Sequence, residues 1–331
     1  MLRKYGWIAL VLCAALACGW LCWPDTSSRN DVAVSASPHQ GNSAVAASAV
    51  APTTVPTSGK SATIPARMSP GSAPPLPPSG TPLKQIFDEL KARADAGDAA
   101  AASRLYRDLS TCFAAAATMR SNTLNASALL EHPDSSAPAA IQQQQLDRAQ
   151  ELLKGTDRLK TLCAGVDQNL LGSLAATTLQ AAQLGDASAR DCYVHRGPFV
   201  NPRGMVDDPA SLGAYRQQAP VLIDSAIASG DWKMVDMLQY AYGPSGGNLI
   251  AGLVGPDPVQ HYRYLKLYRL GASGNRIPAL DRQLAYAANQ LDAQQRADAD
   301  AWAAATQQSY FHGSSTDAAP QNWNACAIPS E

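Results

Sequence analysis

The chain carries little charge and no surplus of either sign, with 26 Lys and Arg against 27 Asp and Glu and only 16% charged residues among its 331. A dedicated nucleic-acid binder needs a basic excess to displace counterions from phosphates, so that class is excluded and no nucleic-acid partner is expected. Aromatic residues are scarce, at 6%. The five histidines, His39, His132, His195, His261 and His312, do not cluster, and no Ser-x-x-Lys occurs, which removes the serine acyl-enzyme mechanism of penicillin-recognising proteins. Sustained alternation of apolar and polar residues is missing as well, so there is no ground for a sheet. No cofactor and no metal site are expected.

Arg3 and Lys4 precede an uncharged, mostly apolar run over residues 5–23, with Tyr5 and Trp7 at one end and Trp20 and Trp23 at the other. Nineteen helical residues span about 28 Å, close to a bilayer's hydrocarbon core, and ring side chains favour its two interfaces. The run reads as a membrane anchor whose basic flank stays inside, which places the rest of the chain outside the cytoplasm. A cleaved signal peptide is the competing reading, as is a lipoprotein site in Ala15-Leu16-Ala17-Cys18, where Cys18 would carry the lipid. Residues 24–82 hold 11 of the 23 prolines among Ser, Thr, Ala and Gly. That composition buries too little apolar surface to offset its ordering entropy and predicts a disordered linker, stiffened by Pro74-Pro75-Leu76-Pro77-Pro78.

From Leu83 the spacing becomes helical, and residues 83–309 are expected to form an all-α domain, with 310–331 as a polar tail. Thr81-Pro82 predicts a cap and a first-turn proline for a helix with Leu83, Ile86, Phe87, Leu90 and Ala94 on one face. Leu105, Leu109, Cys112, Phe113 and Ala116 predict a second helix; Tyr215 through Ile227 and Leu280 through Leu291 repeat the pattern. Four junctions recur: Ala94-Asp95-Ala96-Gly97-Asp98, Ala182-Gln183-Leu184-Gly185-Asp186, Ala228-Ser229-Gly230-Asp231 and Ala272-Ser273-Gly274-Asn275. Glycine supplies the left-handed residue that ends one helix, and the following Asp or Asn accepts the orphan amides of the next. The glycine intervals are 88, 45 and 44, which predicts a hairpin period of about 44 residues with one unmarked unit near position 141. Asp292 and Gln295 form a capping box for a terminal helix whose Ala293, Ala297, Ala301 and Ala304 are expected to pack on a neighbour.

Val235-x-x-Leu238-x-x-Ala241-Tyr242-Gly243, an Asp257 opening the next helix, Tyr264, Leu267 and the closing Leu270-Gly271-Ala272-Ser273-Gly274 resemble the Sel-one-like repeat family, within the tetratricopeptide-like superfamily. A fainter copy runs through Gly185, Ala189, Tyr193, Gly197, Asp208, Tyr215, Ala226 and Gly230. The resemblance implies an exported bacterial chain whose α-α hairpins stack into a short solenoid, a protein-interaction scaffold with no catalytic residue. Longer loops at 198–209 and 244–256 depart from the pattern.

Cys112, Cys163, Cys192 and Cys326 are an even set in an exported domain and permit two disulfides in three connectivities. Nearest-neighbour pairing suggests Cys112 with Cys163 and Cys192 with Cys326. Cys192-x-x-His195 has half the spacing of a zinc site, and Gly243-Pro244-Ser245-Gly246-Gly247 fits a nucleophile-elbow formula without the strand that elbow requires. Tyr240, Tyr242, Tyr262, Arg263, Tyr264 and Tyr268 gather on two successive helices, and Tyr and Arg are the residues that dominate binding hot spots. These six are the expected groove. The expectation is a non-enzymatic adaptor for another envelope protein, with a peptidoglycan- or glycan-related envelope enzyme or binding protein as the alternative.

Overall fold

Twelve α-helices and no strand make up the described residues, 74–131, 136–201, 210–319 and 323–327 of a computed structural model, all within one unit, Ser61–Glu331. No helix among them is long and apolar enough to cross a membrane; the run 5–23, Cys18 and the linker up to residue 73 lie outside the described residues.

Helix α1 (Leu83–Asp95) buries Leu83, Ile86, Leu90 and Ala94, the face its spacing predicts. Its start differs from expectation. Pro82 holds the cap position without a side-chain bond, while the Thr81 hydroxyl turns back to donate to the Pro78 carbonyl at 2.8 Å. Gly97, at φ +91°, then reverses the chain, and Asp98 accepts the amides of Ala100 and Ala101 at 3.0 and 3.1 Å to open α2 (Ala99–Glu131). The same device joins α5 (Leu174–Gln183) to α6 (Ala187–Arg196) through Gly185 and Asp186, and α7 (Ala210–Ala228) to α8 (Trp232–Ala241) through Gly230 and Asp231. The fourth junction is built differently. Gly274 is left-handed, but it opens a 3-10 turn, Gly274–Arg276, and Arg276 rather than Asn275 precedes the next helix, α11 (Ile277–Ala288). No such junction falls near 141 either, because Ala139 opens a long helix there, α3 (Ala139–Leu162).

Helices α2 and α3 pair antiparallel as an arm fastened at its base by the Cys112–Cys163 disulfide. Beyond that bond the covered positions of α2 are Cys112, Ala115, Met119, Asn122, Ala126 and Leu129, plus Ser127. On α3 they include Gln142, Gln145, Ala149, Leu152, Thr156 and Leu159. Both sets step by three and four, the seam of a two-helix coil. Small and polar seam residues let the helices approach closely but leave large side chains outside. Phe113, expected on the buried face of α2, is 43% exposed, and Ala116 faces solvent too.

The remaining helices are α4 (Gln168–Gly172), α9 (Leu249–Val254), α10 (Pro258–Leu270) and α12 (Ala293–Thr306). Asp257 caps α10 by accepting the amides of Val259 and Gln260, as its position predicts. Helix α8 is the wall shared by two cores. Met234, Met237, Leu238 and Ala241 face the core built from α1, α2 and α5–α7, whereas Trp232 and Val235 face one built from α10–α12. The capping box of α12 is present, yet its packing face is not the expected one: Ala299, Ala303 and Thr306 are buried, and Ala293, Ala297, Ala301 and Ala304 point to solvent. The chain beyond 309 is not simply a polar appendage. Phe311 is buried in a π turn, Gln307–Phe311, and Thr316 and Ala319 are buried after it.

A candidate cleft between the eighth helix and the C-terminal segment

The six expected groove residues divide by burial. Tyr262 and Tyr268 are interior. The Tyr262 hydroxyl donates to Asp300 on α12 at 3.1 Å, and Arg276 donates to the Tyr268 hydroxyl. Tyr242 and Tyr264 stack with ring centroids 5.7 Å apart and planes 2° from parallel; Tyr264 also meets Trp302 edge-on at 5.2 Å. The Arg263 guanidinium lies over that Trp302 ring at 5.7 Å. Burial pushes the Tyr264 phenol up to about 12, so it stays neutral. Trp232, wedged between Phe311 at 4.1 Å and Tyr268 at 6.3 Å, completes a chain of rings that ties α8, α10 and α12 together. Tyr240 alone stands out, 51% exposed on the outer edge of α8.

Beside Tyr240 a cleft of about 590 Å³ separates α8 from residues 323–327. The Cys192–Cys326 disulfide fastens this segment to α6. Both bonds thus follow the nearest-neighbour pairing. The Trp323 indole donates to Asp236 at 3.0 Å, and the Lys233 ammonium sits 5.4 Å over its ring. His195, Asn248, Asn324 and Ala325 line it as well. Burial first, and Arg196 second, hold the His195 pKa below its ordinary value, so the ring is neutral near pH 7. Since Cys192 is bonded to Cys326, Cys192-x-x-His195 is not a ligand pair. Ser245 lies exposed in the turn after α8, and no strand leads into that turn.

Behind the cleft Asp191 is buried on α6, with Lys233 3.9 Å from one oxygen and Arg190 3.6 Å from the other. Arg190 bridges to Asp231. Burial, and then the nearby Asp231 carboxylate, push Asp191 up to about 7. Between the ordinary Asp value, about 4, and that raised one, the folded chain binds more protons than the unfolded chain, so this group's contribution falls as pH rises through the window. Asp191→Asn, neutral at every pH, is expected to raise the Tm at pH 8 by about 3–6 °C and to flatten the decline between pH 4 and 8. Thermal melts of both proteins across that range check it.

A larger cavity, about 810 Å³, lies elsewhere, at the base of the arm, where Arg104, Arg107, Lys154 and Arg158 alternate with Asp108 and Asp157. Arg104 and Asp108 form a buried ion pair at 2.7 Å, so much of that charge is internally matched.

The chain matches no family model, no curated protein and no solved structure.

Proposed function

We propose that the protein is a non-enzymatic adaptor of the bacterial cell envelope, a Sel-one-like helical-repeat scaffold carried outside the cytoplasm on a membrane segment at residues 5–23. Its partner in this reading is an unidentified envelope protein. The observation that carries it is the apolar flank of the arm. Leu130, Leu146 and Leu153 are 47%, 42% and 41% exposed, and each directly follows a seam residue. In an antiparallel coil, positions following the seam on both helices share one side, so the three leucines form one stripe. The other positions that follow a seam residue are Phe113, Ala116, Arg120, Thr123, Ser127, Gln143, Gln150, Asp157 and Lys160, which include a single acidic group, Asp157. A long, narrow stripe with exposed leucines and few charges beside two helices is the shape that an amphipathic partner helix completes as a third member. Two disulfides agree with an oxidising compartment. A non-enzymatic role agrees with the cleft, whose one carboxylate, Asp236, is bonded to Trp323 and Gln239.

The test is site-specific photo-crosslinking in the intact cell from positions 146 and 153, with Gln144 on the far side of α3 as control. One protein adduct from both leucine positions and none from 144, lost in Leu146→Glu/Leu153→Glu with an unchanged melt, is the expected result. Equal adducts from all three positions, or none, would sink the arm as the docking element, and an adduct of twice the chain's mass would show self-association instead.

A further inference from the structure

The cleft beside Tyr240 has a chemistry that protein docking along the arm does not use. Two aromatic side chains wall it: Trp323, held by the bond to Asp236 and by the Lys233 ammonium, and Tyr240, carried on α8. Three carboxamides lie around the cleft, and each has one half committed and one half open. Gln239 donates its Nε2 to Asp236 at 3.2 Å, leaving Oε1 as an acceptor. Asn248 accepts the Ala251 amide at 2.9 Å and Asn324 the Cys326 amide at 3.0 Å, leaving two Nδ2 donors. His195 contributes a neutral ring to the lining. Among the lining residues Asp236 is the only formal charge at neutral pH, and it is already hydrogen-bonded.

That set discriminates between ligand classes. An anionic ligand would find no cation among the lining residues, a cationic one would have to compete for an Asp236 carboxylate already bonded to Trp323 and Gln239, and a purely apolar one would strand the open carboxamide atoms, at a cost of about 1–3 kcal/mol for each buried unmatched group. A neutral molecule with an apolar face for the rings and several hydroxyl or amide groups at its edge matches every open partner. We propose that the cleft binds a sugar ring of a neutral glycan, with Tyr240 and Trp323 as aromatic platforms and Gln239, Asn248 and Asn324 as its hydrogen-bonding set. A cleft of about 590 Å³ is within the size range of small-molecule sites. The Cys192–Cys326 bond then has a second role: it holds Trp323 in place as one wall. None of these residues lies on the arm, so the site stands or falls separately from the arm's partner.

The experiment follows the Trp323 indole N–H resonance of the oxidised full-length protein, assigned by its disappearance in Trp323→Phe, during titration with N,N′-diacetylchitobiose, a neutral amide-bearing disaccharide. The expected result is a saturable shift with a Kd of about 1 mM or tighter. Tyr240→Ala should weaken binding about tenfold with an unchanged melting temperature, since the Tyr240 side chain is largely exposed, and Asn324→Leu should do the same. A resonance that does not move up to about 20 mM sugar would overturn the proposal, as would wild-type affinity in both variants. So would a shift produced by a neutral peptide but not by the sugar.

Discussion

Replacing Cys192 and Cys326 together by alanine is expected to lower the stability of the domain by about 2–5 kcal/mol, and its Tm by about 5–15 °C. The bond closes a loop of sequence separation 134, and the denatured chain regains that loop's freedom when the bond is absent. Loss of the Cys112–Cys163 bond, with a separation of 51, should cost slightly less, because the cost grows only logarithmically with loop length. The two losses differ in place as well as size. Without Cys192–Cys326 the described contacts left to hold the segment are the Trp323–Asp236 bond, the Lys233 contact and the packing of Trp323, Ala325 and the residue 326 side chain, so the Trp323 indole resonance should move toward its solvent-exposed position. Without Cys112–Cys163 that resonance should stay, and protease sensitivity should rise in α2 and α3 instead. A Tm that barely changes in Cys192→Ala/Cys326→Ala would mean that the folded segment is held by its noncovalent contacts and that the denatured chain is already compact across that loop.

How much of this architecture was legible depends on how local the controlling chemistry is. Helix stops and starts are decided within five residues, and three of the four glycine junctions fold as their sequences predict: left-handed Gly97, Gly185 and Gly230, each followed by an Asp that caps the next helix. The fourth misleads because Pro278, in the first turn of α11, can start that helix without an Asn cap. The arm was not legible. Its seam residues Ala115, Asn122, Gln142, Gln145 and Thr156 give almost no apolar period, since close approach of backbones rather than large side chains holds the pair. Burial of the tyrosines was also beyond the sequence. Tyr262 and Tyr264 look alike on one helix, and only Asp300 and Trp302, nearly 40 positions later, draw them inward.

The cleft shows the same limit with one difference. Asp236 and Trp323 meet across 87 positions, and no motif joins them. Their neighbourhood was nonetheless implied by the cysteines: pairing Cys192 with Cys326 puts Trp323 three residues from α6, next to His195 and the edge of α8. A covalent constraint read from composition was therefore the one sequence feature able to find the site, whereas the count of exposed tyrosines and arginines pointed to residues that mostly pack inside.

Gly230→Ala is expected to cost about 2–5 kcal/mol, for two separable reasons. Gly230 sits at φ +74°, where an L side chain is disfavoured by about 1–2 kcal/mol. A Cβ at that position would also lie 2.5 Å from the Tyr310 carbonyl oxygen, which is backbone and cannot turn aside like a side chain. Gly274→Ala separates the terms. Gly274 is left-handed as well, at φ +59°, but a Cβ there meets nothing within 4 Å, so only the conformational cost of about 1–2 kcal/mol remains. The difference between the two variants, read as Tm, measures how rigidly the π turn at Gln307–Phe311 is pressed against the α7–α8 junction. If Gly230→Ala melts like Gly274→Ala, the turn yields and the contact is soft. If it melts well below, the clash is transmitted through Phe311 to Trp232 in the first turn of α8, the helix that carries Asp236, Gln239 and Tyr240. In that case sugar affinity at the cleft should fall with stability in Gly230→Ala and remain unchanged in Gly274→Ala, because the α7–α8 junction would then set the position of the cleft's floor.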